Sequence, residues 1–218
     1  MKVWERWAPL TGIVSVVCSV YGTLLVLGQP QDTDSNEKIV AYFAKHSHRV
    51  QGVVGFFVFL VGVALFLVFL GALRDRLASA EGAPGRLSTL AFGAGLASAA
   101  IWLVAMLIAR ADTFAVTNNS KFHVDPNTYR LLADTAYFGW VAATFIGALV
   151  IWATSAIVVR TAVLPRWFGR LGILAGATQL FGIFFFPFFV WWLWLAASSL
   201  LLVARPRTSP APLAAAAA

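Results

Sequence analysis

Residues 181–195 read FGIFFFPFFVWWLWL and lie inside an apolar run, Leu171 to Ala204, that carries no charge. A helix rises about 1.5 Å per residue and a bilayer core is about 30 Å thick, so roughly 20 residues make one crossing. The run is too long for one crossing and short for two. Pro187 divides it into two pieces, and proline lacks the N–H needed to continue a helix cleanly. Two short crossings with a turn near Pro187 are therefore expected.

Charge along the chain gives a second test. With six crossings and an inside start, Lys2, Arg6, Arg74, Arg76, Arg86, Arg160, Arg166, Arg170, Arg205 and Arg207 fall inside, and Lys38, Lys45, Arg49, Arg110, Lys121 and Arg130 fall outside. This is the bias that cytoplasmic loops carry. Five crossings would move Arg205 and Arg207 outside and erase it.

Composition agrees with membrane residence: 60% of residues are hydrophobic, 11% are charged and the mean hydropathy is +0.81. An ordinary soluble domain has roughly 25% charged residues. Spans are expected at about 10–28, 50–73, 87–108, 137–159, 171–186 and 188–204. Continuous apolar runs of this kind are helices, because barrel strands alternate over about ten residues. The expected fold is all-α, one six-span membrane domain over 1–204, with 205–218 as a disordered cytoplasmic tail.

The chain also resembles itself. Arg6 to Gly12 reads RWAPLTG, Arg86 to Gly93 reads RLSTLAFG and Arg166 to Gly172 reads RWFGRLG, at intervals of eighty residues. Three repeated helical hairpins are the natural unit, the third without its outer loop. In the other two outer loops, Asp34 is placed to cap a short surface helix with Glu37 three residues on, and Ile39, Val40, Phe43 and Val50 near one face. Asp125 caps the second, with Pro126 at the favoured first helical position. The first span is expected to be retained rather than cleaved after Val26-Leu27-Gly28, since its apolar stretch exceeds a usual signal core. Cys18, the only cysteine, reads as membrane packing.

Groups that could carry chemistry are few. His46, His48 and His123 all fall in the outer loops and are the weak metal candidates, but His46 and His48 diverge by about 200° on a helix and no HExxH or CxxC pattern supports them. No metal and no cofactor is expected. Arg110, Asp112, Asp134 and Arg160 sit at span ends, where they can reach water or headgroups. Gln179 is the strongest polar residue near a span centre, placed for an interhelical hydrogen bond. Phe188, Trp191 and Leu195, three and four residues apart, share a helix face that is either packing or, with Gln179, the lining of a groove for a lipid tail or planar apolar ligand. The sequon Asn118-Asn119-Ser120 is silent in most bacteria.

Arginine outweighs lysine and alanine and glycine abound, which suggests a GC-rich bacterial genome and an inner-membrane location with both termini cytoplasmic. The stretch Lys38-Ile39-Val40-Ala41-Tyr42-Phe43, a span ending Phe69-Leu70-Gly71-Ala72-Leu73-Arg74, then Asp125-Pro126 and Leu164-Pro165-Arg166-Trp167 before Gly169, resemble an uncharacterised family of six-span bacterial inner-membrane proteins. That resemblance implies a six-span helical fold and brings no activity, substrate or catalytic residue. Three classes follow from the residues themselves. The first is a non-enzymatic accessory subunit that binds membrane lipids and a membrane-protein partner or a second copy of itself, without nucleic acid. The others are a small transporter or channel for an apolar or neutral solute, and an outer-face enzyme built on the histidines.

Overall fold

The computed structural model describes residues 7–25 and 28–205. The cleavage-site reading at Val26-Leu27 and the tail beyond Arg205 lie outside them. Among the described residues the chain is all-helical, with no strand. A 3₁₀ turn, Ala8–Leu10, leads into α1, Thr11–Leu24. The helices α2, Asn36–Ala44, and α3, His46–Glu81, follow. Next come α4, Arg86–Ala109, and α5, Ala111–Asn118. The chain then forms α6, Pro126–Thr161, α7, Arg166–Thr178, and α8, Phe186–Ala204. Four of these, α3, α4, α6 and α8, are long and apolar enough to cross a membrane.

Both α3 and α6 run unbroken for 36 residues. At 1.5 Å per residue each is about 54 Å long, well beyond a bilayer core. The surplus lies at opposite ends: α3 overruns past Leu73 to Glu81, while α6 begins at Pro126, eleven residues before its expected span. Asp125 and Pro126 thus open the long helix itself. At the far end of α3, Glu81 accepts from the amides of Leu87 and Ser88, both at 2.8 Å, satisfying orphan donors in the first turn of α4. The turn between them needs φ of +75° at Gly82 and +64° at Gly85, which glycine adopts at little steric cost.

Small residues set how the helices pair. Along α1 and α3, Gly22 faces Gly55 and Phe59, Gly62 faces Cys18 and Ser15, and Gly12 faces Phe69, so the two run antiparallel. The same holds for α4 and α6: Ser98 donates to the Ala143 carbonyl at 2.8 Å, and Gly139 meets Ala105. Along α7, Gly169 sits on Val158 and Val159, Gly172 on Ser155, and Gly176 on Trp152. Gly182 continues the line to Thr144 and Val141, and Tyr137 donates to the Ile183 carbonyl. Residues 166–183 thus lie along most of α6. Sub-contact distances at glycines are the mark of close backbone approach, which in lipid replaces the missing hydrophobic drive between helices.

The terminal run breaks earlier than its proline. After α7 a 3₁₀ turn, Gln179–Phe181, and a bend through Gly182 to Phe185 separate it from α8, in which Pro187 is the second residue. The break therefore precedes Pro187, which sits where its missing N–H is one of the helix's unpaired donors anyway. From there α8 turns back toward the start of the chain: Ser199 donates to the Pro9 carbonyl, and Arg76 Nη2 donates to the Arg205 carbonyl at 2.6 Å. At the bundle centre an aromatic core joins the helices. Trp191 meets Trp102 edge-on with centroids 5.5 Å apart, Phe66 at 5.8 Å and Trp194 at 6.0 Å.

Candidate functional site: a cap over one end of the bundle

One end of the bundle gathers the turns at 81–86 and 161–166 and the close of α8; the other is covered by a cap built from residues 28–44, from α5 and the segment after it, and from the first turn of α6. Its helix starts are fixed locally. Ser35 caps α2 by accepting from the Lys38 amide at 3.3 Å. The expected cap, Asp34, instead accepts from the Gln31 amide at 2.8 Å and from Lys38 Nζ at 2.7 Å. Those two bonds, the lysine's first, hold the Asp34 carboxyl below its ordinary range. Asp125 caps α6 as expected, accepting from the Thr128 amide and hydroxyl at 2.8 Å each, which likewise lowers its carboxyl.

The cap has a small core of its own, formed by Ile39, Tyr42, Phe43, Val124 and Tyr129. Phe43 and Tyr129 meet edge-on at 5.5 Å. The Tyr129 hydroxyl donates to the Pro30 carbonyl at 2.6 Å, tying α6 to the loop before α2. Arg130 completes the tie: Nε donates to the Asp32 carbonyl at 2.7 Å, and Nη2 to the Asp34 carbonyl at 2.8 Å and to Asn36 Oδ1 at 2.9 Å.

Beneath this core lies Arg110, only 3% exposed, in the single-residue link between α4 and α5. Its Nε and Nη1 are sealed from the surface and have no acceptor among the described residues. Burial pushes the guanidinium down from its ordinary range, against a smaller opposing effect of the Tyr42 and Tyr129 phenols. Asp112, 6% exposed, is pushed up by burial and by Asp125. The sequence places Arg110 and Asp112 in reach of water or headgroups; both are instead enclosed, because α5 folds back onto α3, where Gly52 receives Thr113 and Phe56 receives Phe114.

The three histidines do not converge. His46 is exposed at the start of α3, beside a groove of about 220 Å³ lined by Arg49, Val50, Val53, Val54 and Thr117. His48 stacks on Tyr42 with centroids 4.2 Å apart and holds Nδ1 3.0 Å from the Tyr42 carbonyl oxygen. His123 is exposed in the segment before α6. Among the described residues no three His, Cys, Asp or Glu side chains are grouped to hold a metal.

The expected ligand face lies deep in the protein. Phe188, Trp191 and Leu195 are at most 4% exposed and belong to the main core, with Phe188 against Trp140 at 5.3 Å. Gln179 is wholly buried and donates from Nε2 to the Pro187 carbonyl at 3.0 Å, satisfying a backbone group across the bend. These four residues lie around the bend and the first turns of α8, packed against side chains of the core and, for Gln179, against backbone carbonyls.

This is an all-helical membrane protein with a structured polar cap at one end. Compared with family models, curated proteins and solved structures, the chain matches none at a significant level.

Proposed function

We propose that this is a non-enzymatic accessory protein of a bacterial inner membrane, which binds lipid or a membrane-protein partner through its capped end. The observation that carries the reading is the division of the molecule. The bundle axis is filled by Phe66, Trp102, Trp191 and Trp194, each at most 8% exposed, whereas the buried cation Arg110 and the Tyr129 and Arg130 ties lie at the capped end. A conduit for solute would need an open or polar axial path. The packing therefore favours a binding role over the transporter reading.

Six crossings in three hairpins remain the topology we favour. The antiparallel line of Gly169, Gly172, Gly176 and Gly182 along α6 supports a fifth crossing, and the α1 seam against α3 supports the first. Charge orients the bundle. Among the described residues at the end opposite the cap, Arg74, Arg76, Arg86, Arg160, Arg166, Arg170 and Arg205 stand against Asp75 and Glu81. Lys38, Lys45, Arg49, Arg110, Lys121 and Arg130 of the cap end are balanced by Asp32, Asp34, Glu37, Asp112, Asp125 and Asp134. The arginine-rich end is then cytoplasmic and the cap faces outward. Phe181, Phe184, Phe185 and Phe186, each 47% exposed or more, provide an aromatic belt at the outer boundary. Native mass spectrometry after purification in mild detergent tests the function: a bound lipid, a partner subunit or a second copy is expected, and a consistently lone, lipid-free monomer refutes it.

A further inference from the structure

We propose that Arg110 anchors a binding site for an oxyanion, a phosphate or carboxylate group, beneath the cap. This rests on the binding reading above and names the chemistry that the cap would recognise. A buried guanidinium is ordinarily paired or fully hydrogen-bonded, because removing an unpaired charge from water is strongly unfavourable. Arg110 is 97% buried by its 3% exposure, and Nε and Nη1 find no acceptor among the described residues.

The same cap supplies the comparison. Arg130 is a structural tie, with Nε and Nη2 held by backbone carbonyls and Asn36, and Nη1 at 3.4 Å from Asn127 Oδ1. Arg110 makes no such tie through Nε or Nη1 among the described residues. Nor does an acid among the described residues neutralise it: the ion pair found there is Lys38 with Asp34, and Asp125 is occupied in capping α6. Asp112 is buried two positions away yet makes no ion pair. The Tyr129 hydroxyl of the same cap is already committed to Pro30. A buried cation left without a counter-ion among the described residues suits an anion from outside the chain.

Position narrows the source to two. Arg110 directly follows Ala109, the last residue of α4, where the apolar stretch ends. The oxyanion is therefore a phospholipid phosphodiester or a soluble anion arriving from the outer side.

The test uses the full chain in non-ionic detergent with chloride as the sole anion, and follows thermal unfolding. Inorganic phosphate and acetate are titrated at matched ionic strength, so that general screening is constant. In parallel, phosphatidylcholine nanodiscs are compared with and without phosphatidylglycerol. At least one arm is expected to raise the wild-type Tm by roughly 5 °C near saturation. Phosphate or acetate acting in detergent identifies a soluble anion; phosphatidylglycerol acting alone identifies a lipid headgroup. Arg110→Gln is expected to lose the response while keeping or raising the Tm in chloride, because it removes an uncompensated charge. If that variant does not fold, Arg110→Lys carries the comparison, with a weakened response expected from its different donor geometry. No response in any arm, or a response undiminished in the folded variant, overturns the site. Should native mass spectrometry still retain a lipid or partner in that case, the broader binding reading survives and only the Arg110 site falls.

Discussion

Replacing Gly176 by alanine tests the seam between α6 and α7 at its tightest rigid point. A Cβ built there lies 2.3 Å from Trp152 Nε1 and 2.4 Å from Cδ1. The indole is planar and must move as a body, unlike the single Ser155 hydroxyl that faces Gly172. It also donates to the Ile173 carbonyl at 3.0 Å, so displacement breaks that bond as well. Overpacking costs about 1–3 kcal/mol and the lost hydrogen bond adds about 1 kcal/mol. Alanine's better helix propensity returns about 1 kcal/mol. The net loss is about 1–3 kcal/mol, or a fall in Tm of roughly 3–10 °C for a chain of this size. At Gly93 on α4 an added Cβ would meet nothing within 4 Å, so Gly93→Ala gains propensity without a clash and holds or raises Tm. Tryptophan fluorescence during thermal unfolding in one detergent reads both variants beside wild type. The reasoning fails if Gly176→Ala unfolds within about 1 °C of Gly93→Ala, an interval worth less than about 1 kcal/mol.

Four further outcomes follow from the cap and the topology. Arg130→Ala removes the tie to Asp32, Asp34 and Asn36, and faster hydrogen exchange is expected across residues 29–44 with α8 unchanged; equal exchange in both regions would count against the tie. Asp112, whose folded pKa is raised above 3.8, subtracts stability when ionised, so Asp112→Asn should raise Tm at pH 7, with the gain shrinking as pH falls through that raised pKa. Asp34 and Asp125 carry the opposite sign: their lowered pKa values support the cap above 3.8 and lose that support as pH falls further, so a cap that tightens steadily down to about pH 2 would contradict both assignments. Finally, Arg207→Cys in a Cys18→Ala background should resist an impermeant thiol reagent in intact cells while Ser120→Cys reacts; labelling at position 207 would replace the terminal hairpin by one crossing.

Much of the helical frame is legible in the sequence, because continuous apolar length and bounding charges respond to the bilayer one segment at a time. The α4 span differs from its expected limits by a residue at each end. The bend before α8 is harder to read. Proline marks where a helix cannot easily continue, but it also suits a helix's first turn, and only the path through Gly182 to Phe185 separates the two uses. Ser35 and Asp34 are both good caps by residue type; the neighbouring Lys38 and Gln31 engage Asp34 and leave the cap to Ser35. Periodicity likewise puts Phe188, Trp191 and Leu195 on one face but carries no information about what stands opposite. Arg110 is the least legible. A charge at the end of an apolar span ordinarily reaches water, and its enclosure depends on α5 folding back so that Thr113 and Phe114 meet Gly52 and Phe56, far earlier in the chain.

The unbroken length of α6 has a mechanical meaning. Tyr129 and Arg130 belong to its first turns under the cap, and Arg160 stands near its other extremity, about 45 Å away along one hydrogen-bonded cylinder. A rod of that length converts small angles into measurable displacement: pivoting it by about 2° at the capped extremity swings Arg160 sideways by roughly 1.5 Å. Events at Tyr129 and Arg130 on one face of the bilayer would then be legible at Arg160 on the other as a shift in position, with no residue changing its secondary structure.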